Sequence, residues 1–183
     1  SAWTGSRHTY LSQPRSATIS DTWWVEFATT GGAAVRSTML PSSSTDVTFF
    51  EGPGIRAAEQ RTFVDVRRIG TESIFVAVHE PHGGTPRVRS AELVPIQSGS
   101  EMAVALRVTL VDRTDTILST LDHTGTLTTT DVSFRGRFGF LSDAQSGNRS
   151  LYLADAELLY AGGSRLETSA AHTGSVLRTM IAE

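Results

Sequence analysis

MAVALRVTL, residues 102–110, alternates Met102, Val104, Leu106, Val108 and Leu110 with Ala103, Ala105, Arg107 and Thr109. Successive side chains of a strand point to opposite faces, so this period of two predicts a half-buried β-strand with its larger aliphatic set on the core. A helix of about 3.6 residues per turn would scatter the same set over most of its circumference.

The same period recurs outward from this stretch. Strands are expected at residues 23–27, 34–40, 47–51, 62–68, 74–79, 88–94, 116–121, 126–140 with a break, 151–159 and 175–180. Between them stand turn formers: Thr30-Gly31-Gly32, Gly70-Thr71-Glu72, His82-Gly83-Gly84, Ser98-Gly99-Ser100, Asp112-Arg113-Thr114-Asp115 and Ser146-Gly147-Asn148. Pro41-Ser42-Ser43-Ser44-Thr45 reads as a loop, because the apolar alternation resumes directly after it. About ten or more strands with short connections predict an all-β fold, an antiparallel two-sheet β-sandwich of jelly-roll or super-sandwich type. Residues 1–183 are expected to form one such domain. The chain opens on strand-like residues without an initiating Met, and it reads as a fragment of a larger multidomain protein.

Composition narrows the function classes. With 39% hydrophobic and 19% charged residues, the chain falls in the globular range. A net charge of -3 supplies no strong attraction for nucleic acid, which is not an expected partner. All 16 basic residues are Arg, whose planar fork binds carboxylate or sulfate bidentately. The absence of Cys removes disulfides, thiolate nucleophiles and Cys-based zinc sites together. No apolar run is long enough to span a bilayer as a helix, and residues 1–4 lack the pattern of a signal peptide.

The ionisable residues concentrate in FVDVRRIGTESIFVAVHEPHGG, residues 63–84. Residues 74–78 are apolar on both faces, as in a central strand, which places His79 and Glu80 at a strand exit where Pro81 ends the ladder. His79 and His82 are metal-ligand candidates, although their spacing lacks the one-face geometry of a helical HExxH and no third ligand stands nearby. Glu80 is better read as a cap for backbone donors or a partner of Arg67 or Arg68. His8 and Tyr10 would share one face of an extended segment and are candidates for an acid and base; an exposed strand start is the plainer reading. Of the three tryptophans, Trp3, Trp23 and Trp24, the adjacent pair must point to opposite faces, so one is expected in the core and the other exposed or at an interface, where it could stack on a sugar ring. Val132, Phe134, Phe138 and Phe140 are expected on one strand face, with Arg135 and Arg137 forming a basic outer surface. Asn148-Arg149-Ser150 matches a glycosylation acceptor on a turn.

In order along the chain come Trp24-Val25-Glu26-Phe27, residues 35–40, Gly52-Pro53-Gly54, Val66-Arg67-Arg68, residues 73–81 ending in Glu80-Pro81, and residues 134–139. Together they resemble the β-sandwich region that follows the helical toroid in heparinase II/III-like polysaccharide lyases, over roughly residues 23–163. The Arg followed by a strand ending in Glu-Pro carries most of the likeness. The resemblance implies a secreted or periplasmic bacterial protein that cleaves acidic, uronate-containing polysaccharide, such as a glycosaminoglycan, by β-elimination, without a cofactor. Such a reaction removes the C5 proton while the uronate carboxylate is neutralised. The family builds its site mainly from the toroid, so this chain is expected to be an accessory domain, not catalytic alone. Its implied partners are the acidic polysaccharide and the catalytic helical domain of the parent protein, and the implied substrate contacts are Trp24, Arg68 and Glu80. A non-catalytic carbohydrate-binding module and a structural jelly-roll subunit are the alternatives.

Overall fold

A computed structural model describes residues 10–40, 44–54, 59–100, 102–168 and 174–180. The chain runs through β1 (Ser12–Ile19), β2 (Trp23–Ala28), β3 (Ala34–Leu40), β4 (Thr45–Pro53), β5 (Gln60–Arg67), β6 (Val76–His82), β7 (Val88–Leu93) and β8 (Gln97–Ser98). It continues through β9 (Val104–Leu110), β10 (Arg113–Ser119), β11 (Thr126–Thr128), β12 (Val132–Ala144), β13 (Arg149–Ala161), β14 (Ser164–Glu167) and β15 (Ser175–Met180). No helix occurs among the described residues, and the registered strand pairs are antiparallel. The fold is an all-β sandwich, as the alternation predicts.

Two compact units divide the described residues. One draws on Ser1–Phe27 and Arg36–His79, the other on Ala28–Val35 and Glu80–Glu183. In the first, β4 is the middle of a three-stranded sheet ordered β1-β4-β5, where Val47 lies between Ala17 and Val66. Thr45 and Val47 on one face of β4, and Thr48 and Phe50 on the other, are buried. β1 by contrast is exposed along almost its whole length. A second three-stranded sheet is ordered β2-β3-β6.

The second unit holds one nine-stranded sheet folded over on itself. β12 and β13 are 13 residues each, and their register slips between Arg135 and Gly136, which leaves Glu157 as the extra residue of a bulge. Before the slip β12 pairs with β11, and after it with β10. β13 pairs with β15 over its first half and with β14 over its second. Each long strand therefore belongs to both layers and turns the corner at the bulge, as strands that change sheets do. Leu127, Val132, Phe134, Leu159 and Leu166 from one layer share a single core with Ala105, Leu118, Leu141, Leu151 and Leu153 from the other.

Three contacts measure the fold-over. A Cβ on Gly139 would come within 2.8 Å of the Phe134 ring, five residues back on the same strand. Arg149 Nη1 donates to the Ala161 carbonyl at 2.9 Å, although twelve residues of straight strand would separate them by about 40 Å. Gly136, with φ +140, lies so close to β13 that an added Cβ would stand 2.0 Å from that of Ala156. The loop after β10 satisfies the backbone groups that the bulge takes out of the ladder. Gly136 N donates to Gly125 O at 2.8 Å, Thr120 N to Arg137 O at 3.0 Å, and the Thr120 hydroxyl to Gly136 O at 2.6 Å.

The bend corrects two expectations. Beyond the bulge the parity reverses, so Gly139 and Leu141 are buried while Phe138 and Phe140 are only half-buried, on the opposite face to Phe134. Arg135 and Arg137 do not form a basic surface, because Glu157 and Asp155 neutralise them at 3.1 and 3.4 Å. β9 is not half-buried either: Ala105, expected outside, is 2% exposed, and Leu106 and Val108 on its other face are buried too. β1, β8 and β14 lie outside the expected set, and the β9–β10 turn shortens to Val111 and Asp112.

Candidate carbohydrate-binding surface

On β2, Trp24 and Glu26 project from one face by the two-residue repeat. Arg36, on the neighbouring β3, joins them: its Cζ lies 4.4 Å from the Trp24 ring centroid. Its Nε and Nη2 both donate to Glu26 Oε2, at 3.1 and 3.0 Å. Glu26 thus fixes the guanidinium plane over the indole, a cation–π arrangement. Trp24 remains 59% exposed, whereas Trp23 is half-buried. The arrangement offers an apolar ring and a planar cation with Nη1 uncommitted to Glu26 on one face. Chemically it can contact the C–H face of a pyranose and a carboxylate.

Ser37 Oγ and His79 Nδ1 lie 2.8 Å apart in the same unit, both on strands of that sheet. β6 continues through Pro81 to His82, correcting the expected strand exit: as an edge strand it loses no sheet partner through the missing proline N–H. His79 and His82, three apart on one strand, therefore face opposite sides and cannot chelate one ion. Among the described residues no group of three or more His, Asp or Glu gathers as a metal site.

Arg68 and Glu80 serve their own units. Arg68 donates from Nε to Thr45 Oγ1 at 2.7 Å and from Nη1 to the Ile74 carbonyl, while its guanidinium lies 4.4 Å from the Phe75 centroid. It clamps the connection between β5 and β6. Glu80 Oε1 accepts the backbone N–H groups of Arg87 and Val88, the latter at 3.0 Å, and so anchors the start of β7. Arg67 faces Asp65 at 3.6 Å within the first unit. Arg68 and Glu80 Oε1 thus brace their own units, whereas Glu80 Oε2 is buried with no hydrogen-bond partner among the described residues. Tyr10 is 81% exposed at a turn, and His8 and Trp3 lie outside the described residues.

Sequence reasoning singled out Trp24 but missed Arg36 and Glu26, since their meeting requires the pairing of β2 with β3. Alternation gave no signal for Arg36, which shares its period-two face with the buried Ala34 and Leu40. Comparison with known protein families, curated proteins and solved structures finds no match to this chain.

Proposed function

We propose that this chain is a non-catalytic accessory β-region of an acidic-polysaccharide lyase of the heparinase II/III-like kind, contacting the polymer through Trp24 and Arg36. The observation that carries the reading is the exposed indole with a guanidinium oriented over it by Glu26. An aromatic plane suits the apolar face of a sugar ring, and the fork of Arg suits its carboxylate. The order of motifs from residues 24 to 139 supplies the lyase part of the reading, and secretion follows from that part alone.

Calorimetric titration of the chain with uronate oligosaccharides tests it. Trp24→Ala is expected to weaken binding at least tenfold, and Arg36→Gln to weaken it while reducing its salt dependence. The chain alone should leave the length of the polymer unchanged. Absence of binding to every uronate oligomer tried, or binding indifferent to both substitutions, defeats the proposal.

A further inference from the structure

We infer that the second unit carries a separate subsite for an uncharged saccharide, in the cleft between the β7–β8 connection and the β11–β12 turn. The cleft has a volume of about 390 Å³ and is lined by Pro95, Ile96, Gln97, Thr128, Thr129 and Thr130. Such a volume lies in the range of small-ligand clefts, and this one is half open to solvent. Every one of its lining side chains is uncharged, which sets it apart from the Trp24 surface.

Its walls are fixed. Ile96 packs against the unit's hydrophobic core, and Leu127–Thr128 pairs with Gln97–Ser98. Thr129 closes a turn onto Val132: its backbone N–H donates to Val132 O at 2.8 Å, and its hydroxyl accepts from Asp131 N and Val132 N at 3.2 and 3.0 Å. That hydroxyl therefore still has its own hydrogen to donate. Thr128 Oγ1 donates at 3.3 Å to Gln97 O and retains acceptor capacity. The Gln97 amide and the Thr130 hydroxyl make no side-chain hydrogen bond among the described residues.

Pro95 and Ile96 supply an apolar ledge for pyranose C–H groups, and an amide and three hydroxyls can both donate and accept, as sugar hydroxyls do. A carboxylate or sulfate would find no cation in this lining. The nearest ionised group along the chain, Asp131, stands 3.8 Å from Arg107, which also faces Glu92 at 3.4 Å. The ligand class is therefore a neutral oligosaccharide, independent of the acidic polymer assigned to Trp24.

The test is a backbone-amide NMR titration of the full chain with cellohexaose, xylohexaose and mannohexaose, with oligogalacturonate as the charged comparator. At least one neutral oligomer is expected to shift the amides of residues 96–97 and 128–132. Gln97→Ala with Thr130→Ala should weaken that binding at least tenfold, whereas Trp24→Ala should leave it unchanged. Failure of all three neutral oligomers to shift this cleft, equal shifts with oligogalacturonate, or shifts that survive the double substitution would overturn the inference. Because the proposed uronate surface is read out through Trp24, either claim can fail while the other stands.

Discussion

The β12–β13 ribbon and the β1-β4-β5 sheet are both antiparallel, yet they obtain their burial differently. The ribbon bends at Gly136 and covers itself, so that a contiguous stretch of chain supplies both layers of its core. The three-stranded sheet buries its middle strand from both faces but leaves β1 exposed. Period-two patterning thus stabilises a strand only where a second surface meets it. In the ribbon, a backbone bend positions that surface.

The most severe way to break this contrast is Gly136→Ala. The substitution forces a Cβ onto Ala156 and an L side chain into φ +140, so denaturant unfolding should show a loss of about 3 kcal/mol or more. A loss under about 1 kcal/mol would mean that the corner does not depend on this glycine.

Arg149→Ala removes the clasp between the ends of β13. Arg149 grips Asp143 with Nε and Nη2 and reaches the Ala161 carbonyl with Nη1. The expected cost is about 2 to 3 kcal/mol, with Arg149→Lys recovering only part of it. The hydrogen bonds that Arg149 donates to the Asp143 carboxylate raise the Arg149 pKa above its ordinary value. A raised pKa gives stability that is fully present below the unfolded value and lost only as pH rises through the folded one, so the clasp should be insensitive to pH near neutrality.

A smaller pair of substitutions separates bracing from exposure along β6. Glu80→Gln should cost about 1 kcal/mol, because the amide oxygen still accepts from Arg87 and Val88 while the charge is lost. His79→Ala, at an exposed position bonded to Ser37, should change stability by less than about 0.5 kcal/mol. Equal effects would erase the distinction between the two positions.

The gentlest probe concerns the loop that supports the corner. Hydrogen bonds from the Thr124 hydroxyl, first, and from the Thr124 and Gly125 backbones, together with His123, outweigh desolvation and lower the Asp122 pKa. A lowered carboxylate pKa contributes stability above the unfolded value that disappears as pH falls through the folded one. NMR titration should therefore place Asp122 below a free Asp, and Thr124→Ala should move it back upward.

Most strand positions were legible because burial on a pleated surface imposes alternation directly on the residues. β1 was not, since Ser12, Gln13, Pro14 and Arg15 bury nothing and its pairing rests on β4. Among the candidate site residues, Trp24 was legible as one of two adjacent tryptophans that must face apart. Its guanidinium partner was not, because Arg36 lies 12 positions away and meets it only across a strand pair. Glu80 was readable as a cap, but its donors at Arg87 and Val88 are fixed by the path of the chain after Gly84.

By itself, the order of residues determined that this protein is built of antiparallel strands, without disulfides, and with arginine as its only permanent cation. Tertiary structure alone decided that a single sheet doubles over to make the sandwich, which face Phe138 and Phe140 take, and which arginines remain available to a ligand. The physical reason is that alternation is a local property of the chain. A bulge, a clasp between strand ends and a cross-strand ion pair depend on segments distant in sequence arriving within a few ångströms of each other.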